Sequence, residues 1–293
     1  MSVASVIRGQ LARRAPGLEE RAARAAWRLR NRDRSVSGEA LDPGLSGLAE
    51  RLRRDGVVLG SFEELIGDAD LFTQAAAQAD RLYAQPREAP EGGEGKASFL
   101  TKLATGSYVA DDPFVRIALH PNVLAVANAY LRLRSTLRSL DLWLTAPTPG
   151  PAIETQLWHR DADDVMNVKL FVYFTDVTRA AGPLCYAPGS HPLGPHRELP
   201  ERDDRGRSTD EQLARIVPER DWILCEGKRG TVVLADTCGY HKQLKPAGEE
   251  RVLLVAHYVS GTPFVPRVLE LEGVDEAALT DDQYVAVHDR PRE

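Results

Sequence analysis

The feature that most constrains the fold is a change of texture near Leu137, about halfway along this chain of 293 residues. Beyond it, short segments rich in β-branched and aromatic residues alternate with turns that contain proline and glycine. Such a series of short strands favours a sandwich or a barrel over a parallel sheet with crossover helices. The predicted strands are residues 140–145, 155–159, 168–175, 184–187, 222–225, 231–235 and 252–259.

The first half of the chain has helical periodicity instead. Between residues 45 and 83, apolar residues recur at helical spacing on both sides of a short extended piece at residues 57–59. A further helix is predicted at residues 122–133. Residues 1–44 are interpreted as an Arg-rich N-terminal helical arm and residues 45–293 as the main domain. The sequence therefore predicts a mainly β domain flanked by α-helices.

The arm is also the basic part of an acidic protein. Residues 1–34 contain nine Arg and three acidic residues, a charge balance of +6. Because the net charge of the whole chain is −6, the remaining residues carry −12. An acidic body argues against nucleic acid as the main ligand. The arm could contact an acidic partner or a membrane surface. We favour a solvated helix that packs on the main domain through Ala22, Ala25 and Leu29, because its apolar stripe is narrow.

The apolar composition and the cysteines indicate where the protein works. No run of about 18 apolar residues is present, and the N-terminus lacks the pattern of a signal peptide. The three cysteines, Cys185, Cys225 and Cys238, are odd in number and widely spaced, with no CxxC pair. We therefore expect a cytoplasmic protein without a membrane span, in which the cysteines are buried apolar residues without a chemical role.

The residues that carry chemistry begin at Gln156, in the sequence QLWHRD. Side chains at positions i and i+2 of an extended strand lie on the same face, so His159 and Asp161 can bind one ion from one side. A third ligand can come from His241, which follows the predicted strand at residues 231–235. We predict that these three residues hold a metal ion.

Two imidazoles and one carboxylate on one face of an octahedral ion are the ligand set of non-haem Fe(II) oxygenases, and they leave three positions open. A 2-oxo acid can occupy two of these positions and O₂ the third. Arg251 follows His241 by ten residues, and its guanidinium group can bind a carboxylate through two parallel hydrogen bonds. The predicted cofactors are therefore Fe(II), 2-oxoglutarate as cosubstrate, and O₂.

Two further residues are candidates for binding the cosubstrate. Gln156 lies three residues before His159 and could donate a hydrogen bond to the cosubstrate. Lys169 is an alternative partner for its carboxylate, because an unpaired ammonium group within an otherwise apolar strand would be costly.

Parts of this sequence resemble the phytanoyl-CoA dioxygenase family of iron(II)- and 2-oxoglutarate-dependent oxygenases. The resemblance extends over roughly residues 45–265 and leaves out the arm and the C-terminal end. It is carried by residues 156–161, 170–191 and 231–251, and most clearly by FTDV at 174–177, GPL at 182–184 and PGSH at 188–191.

The resemblance implies a double-stranded β-helix, or jelly roll, of the cupin-like kind. It also implies that His159, Asp161 and His241 bind iron and that Arg251 binds the distal carboxylate of 2-oxoglutarate. Related halogenases have a small residue in place of the aspartate, so Asp161 favours hydroxylation over chlorination. This chain departs from many members of the family at Gln243, where they have a small residue.

Other polar residues near these motifs have simpler interpretations. By the same resemblance, His191 of the PGSH turn is structural. His257 is expected to pack within the last strand, and His120 to begin a helix before a proline. Asp163 and Asp164 could bind a cationic group of the substrate, but we favour solvated loop charges.

The function that these predictions favour is hydroxylation of a small molecule, in secondary metabolism or catabolism. One alternative is a non-oxidative, cupin-like isomerase or hydrolase, which would not need the anchor that Arg251 provides. Another is a catalytically silent jelly-roll binding protein, against which the intact ligand set argues. Desaturation or cyclisation of the substrate also remains open. The segments expected to select the substrate are residues 86–107, 160–164 and 196–221.

Overall fold

The computed structural model describes residues 18–36, 41–86, 95–196 and 200–292. The helices in these ranges are α1 (Leu18–Arg30), α2 (Pro43–Asp55), α3 (Phe62–Leu65), α4 (Ala69–Tyr83), α5 (Pro113–Ala118), α6 (Pro121–Leu131), α7 (Asp210–Ala214) and α8 (Asp281–His288). The strands are β1 (Val57–Ser61), β2 (Leu100–Thr105), β3 (Ser107–Val109), β4 (Thr136–Thr145), β5 (Val168–Tyr173), β6 (Leu184–Tyr186), β7 (Ile223–Leu224), β8 (Thr231–Ala235), β9 (His241–Gln243), β10 (Arg251–Val259) and β11 (Glu270–Glu272).

Two antiparallel sheets form the centre of the molecule. The larger has six strands in the order β1-β8-β5-β10-β4-β2, and the smaller has three in the order β7-β6-β9. Leu184 and Tyr186 of the smaller sheet belong to the same apolar cluster as Tyr173, Val233 and Val255 of the larger one. The facing sheets and the flanking helices confirm the predicted jelly roll.

Side chains alternate along each strand, so the two faces of the larger sheet have different surroundings. On β10, Leu254 and Tyr258 belong to the main apolar cluster, which also contains the helices. Arg251, Leu253 and His257 occupy the intervening positions, which face the interior between the sheets. The larger sheet therefore has one purely structural face and one face that can carry polar, functional side chains.

Capping residues fix the helices that cover the structural face. In α2, Asp42 accepts a hydrogen bond from the backbone N–H of Gly44 at 2.9 Å, and the helix ends at Gly56 with a φ of 83°. A side chain at Gly56 would collide with Tyr186 and with the ring of His191. Glycine is therefore required where the chain turns from α2 into β1.

The predicted strand at residues 155–159 is wrong. The chain forms a 3-10 turn at Glu154–Gln156 instead, and Glu154 has a φ of 51°. The side-chain oxygen of Gln156 accepts a hydrogen bond from the N–H of Ile153 at 3.0 Å, which closes the turn. This local side-chain bond competes with sheet formation. The other predicted strands agree with the structure to within four residues at each end.

Helix α1 packs on the domain through Trp27, which is only 1% exposed and whose indole N–H donates to Asp164 at 2.9 Å. The predicted contact face is wrong, because Ala22 and Ala25 are exposed and Leu29 is 65% exposed. Tryptophan offers the largest apolar area in the helix and an N–H that needs a partner when buried. The stripe of smaller side chains is left in solvent.

The end of the arm is also held by the domain. Arg34 is buried, donates to the hydroxyl of Thr136 at 2.8 Å and lies 3.0 Å from a carboxylate oxygen of Asp289. Residues 1–17 of the predicted arm and the link at residues 37–40 lie outside the described residues. The division of the chain at residue 44 stays a prediction.

None of the helices described has both the length and the apolar composition that a transmembrane span requires. The three cysteines are buried and free, and burial raises the pKa of Cys185 to about 12. A thiol with so high a pKa is a poor nucleophile at neutral pH, in agreement with the passive role predicted for it. The cytoplasmic location and the absence of a nucleic-acid partner stay predictions.

Candidate metal centre

The structure brings His159, Asp161 and His241 together. Nε2 of His159 lies 3.8 Å from one carboxylate oxygen of Asp161, and Nε2 of His241 lies 3.9 Å from the other. One ligand atom from each residue can be chosen so that all three lie within 4.8 Å of one another. The predicted metal ligands are therefore arranged as a group that can bind a single ion.

Backbone pairing between two distant segments produces this arrangement. His159 and His241 exchange two backbone hydrogen bonds, each of 3.0 Å, as in an antiparallel ladder. The N–H of Asp161 donates to the carbonyl of Thr237 at 2.8 Å. Strand β9 therefore aligns one histidine directly beside the other, and the segment before β9 holds Asp161 next to both.

Both imidazole rings are oriented for metal binding by the nitrogen that faces away from the centre. Nδ1 of His159 lies 2.9 Å from the carbonyl oxygen of Leu157, and Nδ1 of His241 lies 3.0 Å from that of Gly239. A carbonyl only accepts, so Nδ1 carries the proton and the lone pair of Nε2 is available for a metal. Burial lowers the pKa of both histidines, which favours the neutral form that a metal requires.

Lys169 lies beside the third ligand. Its ammonium nitrogen is 2.6 Å from a carboxylate oxygen of Asp161. Burial alone would raise the pKa of Asp161, but the charge and hydrogen bond of Lys169 outweigh it and hold the pKa well below its usual range. Lys169 thus has a carboxylate partner within the protein. Its predicted contact with the cosubstrate stays a prediction.

Arg251 is almost completely buried, with 5% of its surface exposed, at the start of β10. Its Nε lies 3.5 Å from the hydroxyl of Thr145. No carboxylate lies within 4.0 Å of its guanidinium group in the part of the chain that the structure describes. Burial lowers the pKa of Arg251 to about 10. A buried cation without a counter-charge is the strongest sign in this structure of a missing anionic ligand.

One cavity connects Arg251 with the three predicted metal ligands. Two buried donors on its walls, the indole N–H of Trp143 and the side-chain amide of Gln243, have no hydrogen-bond partner among the described residues. Apolar atoms make up much of the rest of the wall. The lining residues are Lys96, Trp143, Thr155, His159, Asp161, Lys169, Phe171, Tyr173, Leu184, Thr237, His241, Gln243, Arg251 and Leu253.

The sequence could have revealed several of these lining residues. Trp143 and Tyr173 lie on strands that were predicted, at positions that alternate with core leucines and valines. Gln243 lies two residues after His241 on β9, so both side chains point to the same face of that strand. Lys96 carried no such signal because it lies on a 3-10 turn.

Gln156 does not line this cavity. Its side-chain oxygen is used in the turn described above, and its side-chain nitrogen is buried without a partner within the described ranges. The predicted contact between Gln156 and the cosubstrate therefore stays a prediction, and the structure gives it no geometric support.

The other polar residues singled out from the sequence have structural environments. Nε2 of His191 lies 3.0 Å from the carbonyl oxygen of Arg53, and His191 is not part of the group of three candidate ligands. His120 caps α6 by accepting from the N–H of Asn122 at 3.3 Å, as predicted. His257 is buried within β10. The expectation for Asp164 as a solvated charge is wrong.

Asp164 is buried because the protein supplies three donors for its carboxylate. The indole N–H of Trp27 donates at 2.9 Å, the N–H of Val165 at 2.7 Å and the N–H of Ser260 at 2.8 Å. Asp163 is half-buried, 3.9 Å from Nδ1 of His257. Asp163 is thus the more exposed of the two carboxylates, and it does not line the metal cavity.

The polar insert predicted at residues 196–221 lies near the metal centre. Ser208 exchanges backbone hydrogen bonds of 3.2 and 3.0 Å with Trp158, the neighbour of His159. The guanidinium group of Arg207 lies 3.5 Å from the carboxylate of Glu154, at the side of the site. Residues 197–199 lie outside the described residues. The described part of the insert lies beside the segment that carries His159, but none of its described residues lines the metal cavity.

Comparison with known proteins is consistent with this geometry. The sequence profile of the phytanoyl-CoA dioxygenase family (PhyH) matches residues 67–243, more than half of the chain. No curated protein matches the chain by sequence. The chain is similar in structure to several solved proteins at 18 to 22% identity, a level that shows the fold.

One is the epimerase SnoN in complex with Fe³⁺, alpha ketoglutarate and nogalamycin RO, with 22% identity, a TM-score of 0.54, and coverage of 80% of this chain and 93% of that one. Another is EctD from S. alaskensis with 2-oxoglutarate and 5-hydroxyectoine, with 21% identity, a TM-score of 0.51, and coverage of 77% and 80%. A third is AviO1 from Streptomyces viridochromogenes, with 18% identity, a TM-score of 0.51, and coverage of 78% and 100%. The chain belongs to the phytanoyl-CoA dioxygenase family, whose members are iron(II)- and 2-oxoglutarate-dependent oxygenases.

Proposed function

We propose that this protein is an Fe(II)- and 2-oxoglutarate-dependent dioxygenase that hydroxylates a small molecule. His159, Asp161 and His241 would hold the iron, and Arg251 would hold the cosubstrate. The observation that carries the proposal is the buried guanidinium group of Arg251, without a carboxylate partner among the described residues, in the same cavity as the three ligands. A protein that used this metal site without a 2-oxo acid would have no use for that cation.

The donor set fits iron. Two neutral imidazoles with free Nε2 atoms and one ionised carboxylate are the facial set of non-haem iron enzymes. Each ligand has a supporting hydrogen bond: Nδ1 of each histidine to a carbonyl, and the carboxylate of Asp161 from Lys169. Such bonds hold the rings and the carboxylate in place before the metal arrives. With 2-oxoglutarate and O₂, iron bound here would supply the oxidation of an unactivated C–H bond.

The cavity offers complementary groups for both ends of 2-oxoglutarate. Its 2-oxo acid end would face the metal, and its far carboxylate would meet Arg251. The unpaired N–H groups of Trp143 and Gln243 are additional donors in the same cavity. Phe171 and Leu253 provide apolar wall, which suits the two methylene groups of the cosubstrate. The polar and apolar parts of the cavity thus match the ligand.

Hydroxylation is proposed as the outcome for two reasons. Asp161 occupies the position that halogenases of this kind keep free for a halide. In addition, EctD was crystallised with the hydroxylated compound 5-hydroxyectoine. SnoN, which has a similar structure, is described as an epimerase, so its reaction is not a hydroxylation. Both proteins were solved with small molecules, which supports a small-molecule substrate here, in secondary metabolism or catabolism.

An anaerobic titration tests the proposal. Metal-free protein is loaded with Fe(II), 2-oxoglutarate is added, and the visible charge-transfer band of the chelated complex is recorded. We expect a saturable band that is absent in Asp161→Ala and needs far more 2-oxoglutarate in Arg251→Met. Lys228→Met, which changes an exposed lysine paired with Asp176, is the control and should behave as the wild type. Iron binding without any band would refute the proposal and favour a non-oxidative metalloenzyme.

A further inference from the structure

The metal cavity contains a second cation that the proposed reaction does not use. Lys96 lies on the 3-10 turn Gly95–Ser98, is exposed at the mouth of the cavity and is one of its lining residues. Its ammonium nitrogen lies 4.9 Å from the centroid of the Trp143 ring. No carboxylate lies within 4.0 Å of it in the part of the chain that the structure describes. A contact between a cation and an aromatic face at an exposed site contributes only about 0.5–1 kcal/mol.

Three cations near Lys96 have acidic partners. The ammonium group of Lys102 lies 3.0 Å from the carboxylate of Asp141, and the guanidinium group of Arg207 lies 3.5 Å from Glu154. Lys169 is paired with Asp161, as described above. Among the described residues, Lys96 and Arg251 are thus the two basic side chains lining the cavity that lack an acidic neighbour, and only Arg251 has a role in the proposed reaction.

Lys96 and Arg251 serve different parts of the cavity. Both residues line the cavity, but Lys96 is exposed whereas Arg251 is only 5% exposed. Lys96 is therefore placed to meet a molecule that approaches the metal from the mouth, whereas Arg251 is placed for the inner end of the cosubstrate.

The charges in a loaded site point the same way. The carboxylates of 2-oxoglutarate and Asp161 would balance Fe(II) and one further cation. Arg251 and Lys169 already supply two cations, so the charges of the lining residues, the iron and the cosubstrate would sum to +1 before Lys96 is considered. Partial burial of the amine and the charge of Lys169 lower the pKa of Lys96. An anion near Lys96 would relieve this imbalance.

We propose that Lys96 binds an anionic group of the primary substrate, a carboxylate or a phosphate, and so directs a neighbouring C–H bond toward the metal. This inference rests on the proposed function. It defines the substrate class as small organic anions, and it makes Lys96 a residue that determines specificity. The same charge would exclude cationic molecules from the mouth.

The test compares anionic probes with neutral probes that have the same six-carbon chain. Protein loaded with Fe(II) and 2-oxoglutarate without oxygen is titrated with hexanoate, hexanamide, hexyl phosphate and hexanol, and perturbation of the charge-transfer band reports binding beside the metal. In the wild type we expect at least one anion to bind about tenfold more tightly than its neutral partner, since a charge-assisted hydrogen bond is worth about 1.5–3 kcal/mol. Lys96→Met should lose this preference, and Lys96→Arg should retain it.

The affinity for 2-oxoglutarate separates the possible results. It should be unchanged in Lys96→Met and in the control Lys228→Met. An increase of the 2-oxoglutarate Kd in Lys96→Met by tenfold or more would overturn the inference, because Lys96 would then be a second anchor for the cosubstrate. Equal binding of anionic and neutral probes, or no binding up to their solubility, would also overturn it. Absence of the band in the wild type would instead refute the proposed function, and this inference with it.

Discussion

Replacing Arg251 by methionine should have opposite effects on stability and on cosubstrate binding. One pKa unit corresponds to about 1.4 kcal/mol, and arginine normally has a pKa above 12. Burial lowers the pKa of Arg251 to about 10. The folded protein without ligand therefore carries roughly 3 kcal/mol of unfavourable free energy at neutral pH, where the group is charged in both the folded and unfolded states. Methionine has a similar length and no charge, so it removes this cost.

We expect Arg251→Met to raise the free energy of unfolding of the ligand-free protein by about 1–3 kcal/mol. The same change removes two charge-assisted hydrogen bonds to the far carboxylate of 2-oxoglutarate. Together these bonds are worth about 3 kcal/mol or more, so the Kd should rise at least about 100-fold. Urea unfolding measures the first quantity, and anaerobic titration of the charge-transfer band measures the second.

Arg229 provides the matched control, because it is an exposed arginine with a bidentate carboxylate partner, Asp80, at 2.7 and 2.8 Å. Arg229→Met should lower stability by at most about 1 kcal/mol and leave 2-oxoglutarate binding unchanged. The reasoning would be refuted if Arg251→Met lost several kcal/mol of stability while its affinity for 2-oxoglutarate stayed the same. Arg251 would then be a structural residue.

Three further changes test other parts of the structure. Asp161→Ala should abolish iron binding and destabilise the fold by about 3–5 kcal/mol, because the Lys169 ammonium loses its partner. The double variant with Lys169→Met should regain stability in urea unfolding but should still not bind iron. Burial raises the pKa of Asp236 to about 6. Ionisation of this group therefore makes the fold less stable as the pH rises from about 4 to 6. The free energy of unfolding of Asp236→Asn relative to the wild type should increase by about 2–3 kcal/mol between pH 4 and pH 7. Trp27→Ala should cost about 3–5 kcal/mol and Leu29→Ala less than about 0.5 kcal/mol by the same measurement, whereas equal losses would mean that α1 is not anchored through its tryptophan.

Much of the site could be predicted because its chemistry depends on local spacing. His159 and Asp161 are two residues apart. Pairing with one later strand is enough to place His241 beside them. Arg251 could be predicted because a ten-residue offset from His241 leads to the start of an apolar strand. The structure brings His159, Asp161 and His241 together even though the segment before His159 is a 3-10 turn rather than a strand.

The rest could not be predicted because it depends on contacts between distant segments. Asp164 looks like a loop charge in the sequence, and only the fold shows that Trp27 and Ser260 supply donors to it. Helical periodicity alone could not indicate that one tryptophan outweighs the small apolar stripe of α1. The position of Lys96 over Trp143 likewise joins a turn to a strand that lies far away in the sequence.

The most direct test of the central claim is anomalous X-ray diffraction at the iron edge, from crystals grown without oxygen in the presence of Fe(II) and 2-oxoglutarate. The account predicts one strong peak within coordination distance of Nε2 of His159, the carboxylate of Asp161 and Nε2 of His241. It also predicts 2-oxoglutarate density that extends from this peak to the guanidinium group of Arg251. Iron bound elsewhere, or a cosubstrate whose far carboxylate does not reach Arg251, would contradict it.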